Sequence, residues 1–144
     1  NQALSAYRET RVRTASQGTL IVMLYDEAIK QIGNAIALID ENFRKEPARI
    51  EKCNTHIIKS QEIITELMAS LDMEAGGEIA SNLLSLYTYF NQQLLEANME
   101  KEADKMLVVR DLMEQLRAAW NEIVTNTAAP HEVQTAPVGI NIAG

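Results

Sequence analysis

The sequence predicts an all-α protein, an antiparallel up-down four-helix bundle with an N-terminal arm or short helix. All three prolines, at positions 47, 130 and 137, lie outside residues 48–129. The span between Pro47 and Gly76 and the span from Glu78 to Ala129 contain neither proline nor glycine, and both are rich in helix-favouring Leu, Ala, Glu, Gln and Met. Strict alternation of apolar and polar residues, the pattern of a half-buried strand, is hard to find.

The apolar residues recur every three or four positions, which is the spacing of one face of a helix. The predicted helices cover residues 17–42, 47–71, 78–98 and 101–124. Ser16 is the expected N-cap of the first, because its hydroxyl can accept a bond from a free N–H, and Pro47 suits the first turn of the second. In the fourth, steps of three and four hold without a slip at Met106, Val109, Met113, Leu116, Trp120 and Ile123, a seam typical of bundle packing.

Short connections predict how the helices are arranged. They span residues 43–46, 72–77 and 99–100, and links this short place consecutive helices side by side and antiparallel. The bundle domain then covers residues 16–124, preceded by an arm at 1–15 that packs on the bundle and followed by a flexible tail at 125–144.

The charge distribution favours contact between the arm and the bundle. Residues 1–14 carry three arginines and one glutamate, a sum of +2, whereas residues 15–124 carry 10 basic and 18 acidic residues, a sum of −8. Leu4, Tyr7 and Val12 are the expected apolar anchors of the arm.

The composition excludes several classes of function. A formal net charge of −7 argues against nucleic acid or anionic membranes as partners. No apolar run approaches the roughly 18 residues of a membrane span, so we expect no membrane insertion. Two histidines and one cysteine, Cys53, cannot build a multi-histidine or cysteine metal site. Without a phosphate loop or a nucleophile motif either, the sequence predicts a protein that is not an enzyme and has no cofactor. The cysteine count fits a reducing cytoplasm.

One short motif supports an alternative. His56 is followed at +3 by Lys59 and at +4 by Ser60, in the middle of a predicted bundle helix. Histidine phosphotransfer domains are four-helix bundles with a surface His, then Lys at +3 and Gly at +4. The simpler interpretation is a surface or half-buried helical histidine, because motifs this short match often by chance.

Apolar residues exceed what one core face needs. Leu20 to Tyr25 is apolar all round the first helix, and the third helix has adjacent pairs such as Leu83-Leu84 and Leu94-Leu95, whereas a bundle helix needs about three apolar positions in seven. The excess is explained either by a helix that is buried on two sides or has a wider core face, or by a groove for an apolar segment of a partner. Self-association through the apolar face is a third possibility.

Four blocks of the sequence resemble the FliS family of flagellar export chaperones, over roughly residues 3–124. The blocks are Tyr7 with residues 11–16 (RVRTAS), residues 20–29 (LIVMLYDEAI), residues 61–77 (QEIITELMASLDMEAGG), and residues 79–98 with 116–120 (IASNLLSLYTYFNQQLLEAN, LRAAW). The departures are few: Gln17 stands where the family often has Pro, Glu27 stands where it has Gly, and Thr88 and Phe90 vary a tyrosine-rich pattern.

The resemblance implies a cytoplasmic chaperone that binds the disordered C-terminal segment of flagellin in apolar grooves. It would prevent premature polymerisation and keep flagellin competent for flagellar type III secretion. The export gate and other flagellar regulators would be further partners, and the segment around Tyr7 would cover the groove in the free chaperone. The candidate groove residues are Leu20, Leu24, Tyr25, Ala28, Ile57, Ile64, Leu67, Leu83, Leu86 and Tyr87. Tyr25 and Tyr87 are the strongest candidates, because an amphipathic ring tolerates a half-exposed groove.

Overall fold

A computed structural model of the 144-residue chain describes residues 17–128. These residues form four α-helices and no strand: α1 (Gln17–Leu38), α2 (Pro47–Ala69), α3 (Met73–Glu100) and α4 (Asp104–Ala128). A single turn of 3-10 helix, Phe43–Lys45, lies between α1 and α2. The predicted all-α four-helix class is confirmed.

The four helices close into a ring. Each helix packs on the next one in the chain, and α4 packs back on α1. Arg117 of α4 joins Asp26 of α1 across this closure, with Nε 2.7 Å from Oδ1. The close approach of the two helices is visible at Gly18, where a Cβ atom would stand 2.8 Å from the Val124 side chain.

One apolar core runs through the bundle, and it is built from the residues that recur at helical spacing. In α4, Met106, Val109, Met113 and Trp120 of the predicted seam are buried, and Leu116 packs half-buried against them. The largest fully buried side chains are Tyr25, Tyr87, Phe43, Phe90, Ile32, Ile57, Ile64, Leu67, Leu94, Met106, Met113 and Val109. Burial of these side chains is the main stabilising contribution to the fold.

The end of α1 differs from the prediction. The helix stops at Leu38 rather than near Asn42, because Asp40 offers the backbone another acceptor. Its carboxylate accepts a bond from the Asn42 N–H at 2.9 Å and two more from Arg49 Nη1, both at 2.8 Å. Such local side-chain bonds compete with continuation of a helix.

The start of α3 also differs. The prediction begins this helix after the glycine pair, but Asp72 caps a first turn by accepting bonds from the N–H groups of Glu74 and Ala75. Gly77 then adopts φ 53° and ψ −129°, which breaks the helix before its long part begins. The glycine pair therefore marks a kink inside α3 rather than its beginning.

The connection between α3 and α4 begins two residues later than predicted, at residue 101 rather than 99. Residues 99 and 100 belong to α3, and the chain turns at Lys101, whose φ of 58° is left-handed. Arg44, from the 3-10 helix, donates to the carbonyl groups of Glu100 and Lys101 at 3.0 and 3.4 Å. A basic side chain thus satisfies carbonyls that the end of the helix leaves without intrahelical partners.

The predicted arm with Leu4, Tyr7 and Val12, the Ser16 cap and the tail from residue 129 lie outside the described residues. Residues 125–128, which the prediction places in the tail, continue α4. Within the described part of the chain, no helix has the length and apolarity needed to cross a membrane.

Candidate functional site

The two tyrosines that the sequence places in the candidate groove meet inside the bundle. The hydroxyl oxygens of Tyr25 on α1 and Tyr87 on α3 lie 2.6 Å apart, and the rings meet edge to face with centroids separated by 6.3 Å. The exposed fractions of the two residues are 0% and 1%. The expected half-exposure is therefore wrong: both rings are buried, and their hydroxyl groups share a hydrogen bond.

The environment of this pair disfavours ionisation. Burial holds the pKa of Tyr25 well above its ordinary value, and the neighbouring Tyr87 adds to the increase. Burial likewise raises the pKa of Tyr87 to about 12. The indole of Trp120 acts in the opposite direction on both hydroxyls. The pair is consequently neutral at physiological pH and serves as a polar contact between two helices in the core.

The other candidate groove residues are also mostly in the core. Eight of the ten are buried, namely Leu24, Tyr25, Ala28, Ile57, Ile64, Leu67, Leu83 and Tyr87. Leu20 on α1 and Leu86 on α3 are half-buried. The set is brought together around one core, and in the described structure it does not line a single open groove.

Wide burial of α1 accounts for its apolar run. Ile21, Val22, Leu24 and Tyr25 are all buried, while Leu20 and Met23 are half-buried. The structure thus favours the first of the two explanations for this helix, in which its apolar face is wider than that of an ordinary bundle member.

A polar chain links α1 and α2 at the edge of the core. Gln31 donates from Nε2 to Glu27 Oε2 at 2.8 Å, which leaves its Oε1 to face His56 Nδ1 at 2.7 Å. Nδ1 therefore carries the proton in this contact. The pKa of His56 is lowered, first by burial and then by Lys59 and Lys52. The neighbouring carboxylates Glu27 and Asp26 bind different partners, Gln31 and Arg117.

The alternative phosphotransfer site is not supported. His56 is half-buried with Nδ1 engaged by Gln31, and Ser60, the small residue expected on the docking surface, is fully buried. Its hydroxyl donates to the Ile57 carbonyl at 2.7 Å. The simpler interpretation of His56 as a half-buried helical residue agrees with the structure.

Among the described residues, one open surface with apolar side chains is a depression of about 330 Å³ between α2 and α3. We call it the α2–α3 groove; its lining residues are Gln61, Met68, Thr88, Asn91, Gln92 and Leu95. Leu95 is 45% exposed there, and Ile58 and Met99 are exposed on the same two helices. Such large apolar side chains in contact with water are typical of binding surfaces.

Amide groups hold α2 and α3 together beneath this surface. Asn98 Nδ2 donates to Asn54 Oδ1 at 2.7 Å, and Gln61 Nε2 donates to the Asn91 carbonyl at 3.2 Å. Asn91 Nδ2 in turn donates to Thr65 Oγ1 at 3.3 Å. The contact between α2 and α3 is therefore partly polar, and Gln61 and Asn91 belong both to this contact and to the lining of the groove.

The sequence interpretation missed this groove as a site. Leu84 and Leu95 belong to the adjacent leucine pairs of the third helix, and each lies outside the buried stripe formed by Leu83 and Leu94. The positions 84, 88, 91, 95 and 99 follow each other at steps of three and four, a second stripe beside the core. This second stripe was the signal in the sequence from which the groove could have been predicted.

The described residues contain no cluster of three or more His, Cys, Asp or Glu side chains that could hold a metal ion. Cys53 is buried, burial raises the pKa of its thiol, and its Sγ lies 3.7 Å from the Ala35 carbonyl oxygen. It belongs to the core, in line with the usual behaviour of a buried free cysteine.

Comparison with known proteins identifies the family. The family model described as "Flagellar protein FliS" matches residues 1–127. The flagellar secretion chaperone FliS of Salmonella typhimurium is 35% identical over 80% of this chain and 82% of its own length. The proteins of the same name from Campylobacter jejuni and Vibrio cholerae are 32% and 28% identical, over 88% and 96% of this chain and 94% and 98% of theirs. The chain belongs to the FliS family of flagellar secretion chaperones.

Proposed function

We propose that this protein is a cytoplasmic export chaperone that binds the disordered C-terminal segment of flagellin, prevents its premature polymerisation and keeps it competent for flagellar type III secretion. The observation that carries the proposal is membership of the FliS family, with a match from residue 1 to residue 127. The export gate and other flagellar regulators are proposed as further partners.

The physical properties of the bundle support a binding role. Within residues 17–128, seven large apolar side chains are exposed beside the buried core: Ile58, Met73, Tyr89, Leu95, Met99, Leu107 and Val108. A client segment that folds on the bundle would bury some of these side chains, and the apolar burial would offset the ordering entropy of the client. The mechanism is stoichiometric binding, and no catalytic group takes part.

Among the ten groove candidates, we propose that Leu20 and Leu86 contact the client directly, because both are half-buried. The eight buried candidates would then contribute indirectly, by holding the helices at the spacing that the client requires. Tyr25 and Tyr87 would contribute through their mutual hydrogen bond rather than through contact. The arm residues Leu4, Tyr7 and Val12 are proposed to compete with the client for this surface.

The test mixes the full chain with a peptide of the last ~40 flagellin residues, a length that spans a large coupled-folding surface. Size-exclusion mass and far-UV helicity are measured together. We expect a one-to-one complex with more helix than the sum of its parts. An unchanged mass and unchanged helicity would contradict the proposal.

Matched variants locate the contact. Leu86→Asp places a charge at a half-buried position and should weaken binding at least about tenfold, because an apolar contact is replaced by an unpaired charge. Glu78→Asp, at an exposed position in the same helix that already carries a carboxylate, is the control and should bind as the unmodified chain does.

The arm is tested by deletion of residues 1–10. If the arm competes with the client, the deletion should raise the affinity for the flagellin peptide; an unchanged affinity would exclude competition.

A further inference from the structure

Asn91, one of the residues that line the α2–α3 groove, contains a hydrogen-bond acceptor without a partner among the described residues. Asn91 Oδ1 is buried and accepts no hydrogen bond from the described residues. Its orientation is determined by the neighbouring contacts, because Thr65 Oγ1 already donates to the Gln61 carbonyl at 2.9 Å and can only accept from Asn91. The Asn91 amide therefore presents N–H₂ to Thr65 and its oxygen elsewhere. A buried acceptor calls for a donor.

The chemistry of the groove favours an extended segment over a helix. A helix uses its backbone N–H groups internally, so it offers few backbone donors to an acceptor such as Asn91 Oδ1. An extended segment keeps its N–H groups free, and its alternate side chains point to one side. Met68 and Leu95 are the apolar groups available to those alternate side chains. This is the general chemistry of binding through main-chain hydrogen bonds and alternating pockets.

A segment with this pattern occurs in the chain itself. Residues 138–143 read Val-Gly-Ile-Asn-Ile-Ala, which places Val138, Ile140 and Ile142 on one side of an extended chain. The segment has no charge, and none of the six residues that line the groove is charged. The match between an uncharged groove and an uncharged segment is notable in a chain in which 23% of residues are charged.

The geometry allows this segment to reach the groove. Because consecutive helices are antiparallel, α4 ends at Ala128 at the same end of the bundle as the last turns of α2, which hold Met68. Residues 129–137 separate Ala128 from Val138. At about 3.3 Å per residue they span about 30 Å, several times the 8–10 Å between packed helices.

We propose that residues 138–143 bind in extended form in the α2–α3 groove of their own chain. Ile140 and Ile142 pack against Met68 and Leu95, and a backbone N–H of the segment donates to Asn91 Oδ1. This proposal does not depend on flagellin binding, and its test contains no client.

Disulfide trapping in the full chain tests the proposal. Leu95→Cys is combined with Ile140→Cys, and the control combines Val108→Cys with Ile140→Cys. Val108 and Leu95 are comparably exposed, at 48% and 45%, and Val108 lies 20 residues from the end of α4, about 30 Å along the helix axis and within reach of an unbound tail. Cys53 is buried in both proteins.

We expect the intramolecular disulfide to form at least about tenfold faster with Leu95→Cys than with Val108→Cys, because docking raises the effective concentration of the segment at the groove. Rates are measured by intact mass in dilute protein. Equal rates for the two pairs would overturn the proposal, since they describe a tail without a preferred site. Disulfide-linked dimers that dominate even on dilution would also overturn it, in favour of docking on a second copy.

A measurement without introduced cysteines provides an independent test. The side-chain amide NMR signals of Asn91 and Gln61 are compared between the full chain, Ile140→Asp/Ile142→Asp, and Asn141→Asp as the control. The double variant should shift both signals, whereas the control adds its charge to the opposite side of the extended segment and should not. Signals that are unchanged in the double variant would overturn the proposal.

Discussion

Tyr25 and Tyr87 join α1 to α3 through the centre of the bundle, with their hydroxyl oxygens 2.6 Å apart. The two helices are not neighbours in the ring of four, so this contact spans the core rather than a helix-helix seam. Both residues are almost completely removed from solvent. A hydroxyl pair of this kind is favourable when complete and costly when only one member is present.

The first prediction concerns the two hydroxyls. Tyr25→Phe and Tyr87→Phe should each lower the free energy of unfolding by about 1–3 kcal/mol, because each leaves a buried hydroxyl without its partner. The double variant should lose less than the sum of the two single variants, since neither hydroxyl then remains. Chemical denaturation provides the measurement, and the exposed Tyr89 provides the control, with an effect of Tyr89→Phe within about 0.5 kcal/mol. Strictly additive losses would contradict the contact.

The second prediction concerns stability at alkaline pH. Burial raises the pKa of Tyr25 well above 10.0 and that of Tyr87 to about 12 in the folded protein. The unfolded chain therefore loses these protons first, and the folded state binds more protons than the unfolded state above pH 10. The free energy of unfolding should be insensitive to both groups below pH 10 and should fall as the pH rises towards about 12.

Denaturation at a series of pH values, with the ionisation of tyrosine followed by ultraviolet absorbance, measures this effect. The Tyr25→Phe/Tyr87→Phe variant should lose most of the alkaline slope, because the two raised groups are then absent. If the variant and the unmodified chain had the same alkaline slope, the loss of stability would come from other groups, and the prediction would be wrong.

The third prediction uses two glycines of opposite character. At Gly77, φ is 53° and no atom stands within 4 Å of an added Cβ, so Gly77→Ala should cost about 1–3 kcal/mol through backbone strain alone. At Gly33, inside α1, the nearest atom to an added Cβ is Arg110 Nη1 at 3.8 Å, an ordinary contact. Gly33→Ala should therefore raise the free energy of unfolding by about 0.5–1 kcal/mol.

Urea denaturation of the two variants gives both values in one experiment. Opposite signs are the expected result, because the same added methyl group meets a strained backbone at one position and a helical backbone at the other. A loss of stability of equal size at both positions would show that the kink at Gly77 is not what requires glycine there.

The fourth prediction concerns stability at acidic pH. Burial, Lys59 and Lys52 lower the pKa of His56 below 6.5 in the folded protein. The unfolded chain then binds the proton first, so the free energy of unfolding should fall as the pH drops below 6.5. His56→Gln should reduce this fall, and Lys59→Gln should reduce it in part by removing a nearby positive charge. An identical acid slope in His56→Gln would contradict this origin.

The amino-acid pattern was sufficient to predict the helices and their order. Residues such as Met106, Val109 and Met113 recur at the spacing that turns one side of a helix inward, and all three are buried. Where the predicted helix boundaries were wrong, a local side chain sets the boundary: Asp40 ends α1 early and Asp72 starts α3 early. A single carboxylate that captures a backbone N–H shifts a boundary without changing the apolar period.

The candidate site was harder to predict for a geometric reason. Helical spacing shows that Tyr25, Leu83 and Tyr87 share the apolar side of their helices, but it contains no information about whether that side meets a partner or the protein's own core. Conversely, Leu95 and Ile58 are exposed, although each is as apolar as the buried residues beside it. Which apolar residues remain exposed depends on which side chains meet between the helices, here amides such as that of Gln61, which donates to the Asn91 carbonyl.

The sequence by itself determined the helical class, the antiparallel order and membership of the FliS family, because periodicity, chain breakers and family blocks are local properties of the chain. Only the tertiary structure decided that Tyr25 and Tyr87 bind each other, that His56 is engaged by Gln31, and that a groove lies between α2 and α3. Each of these depends on the distance between side chains that are far apart in the chain, and that distance exists only once the helices have packed.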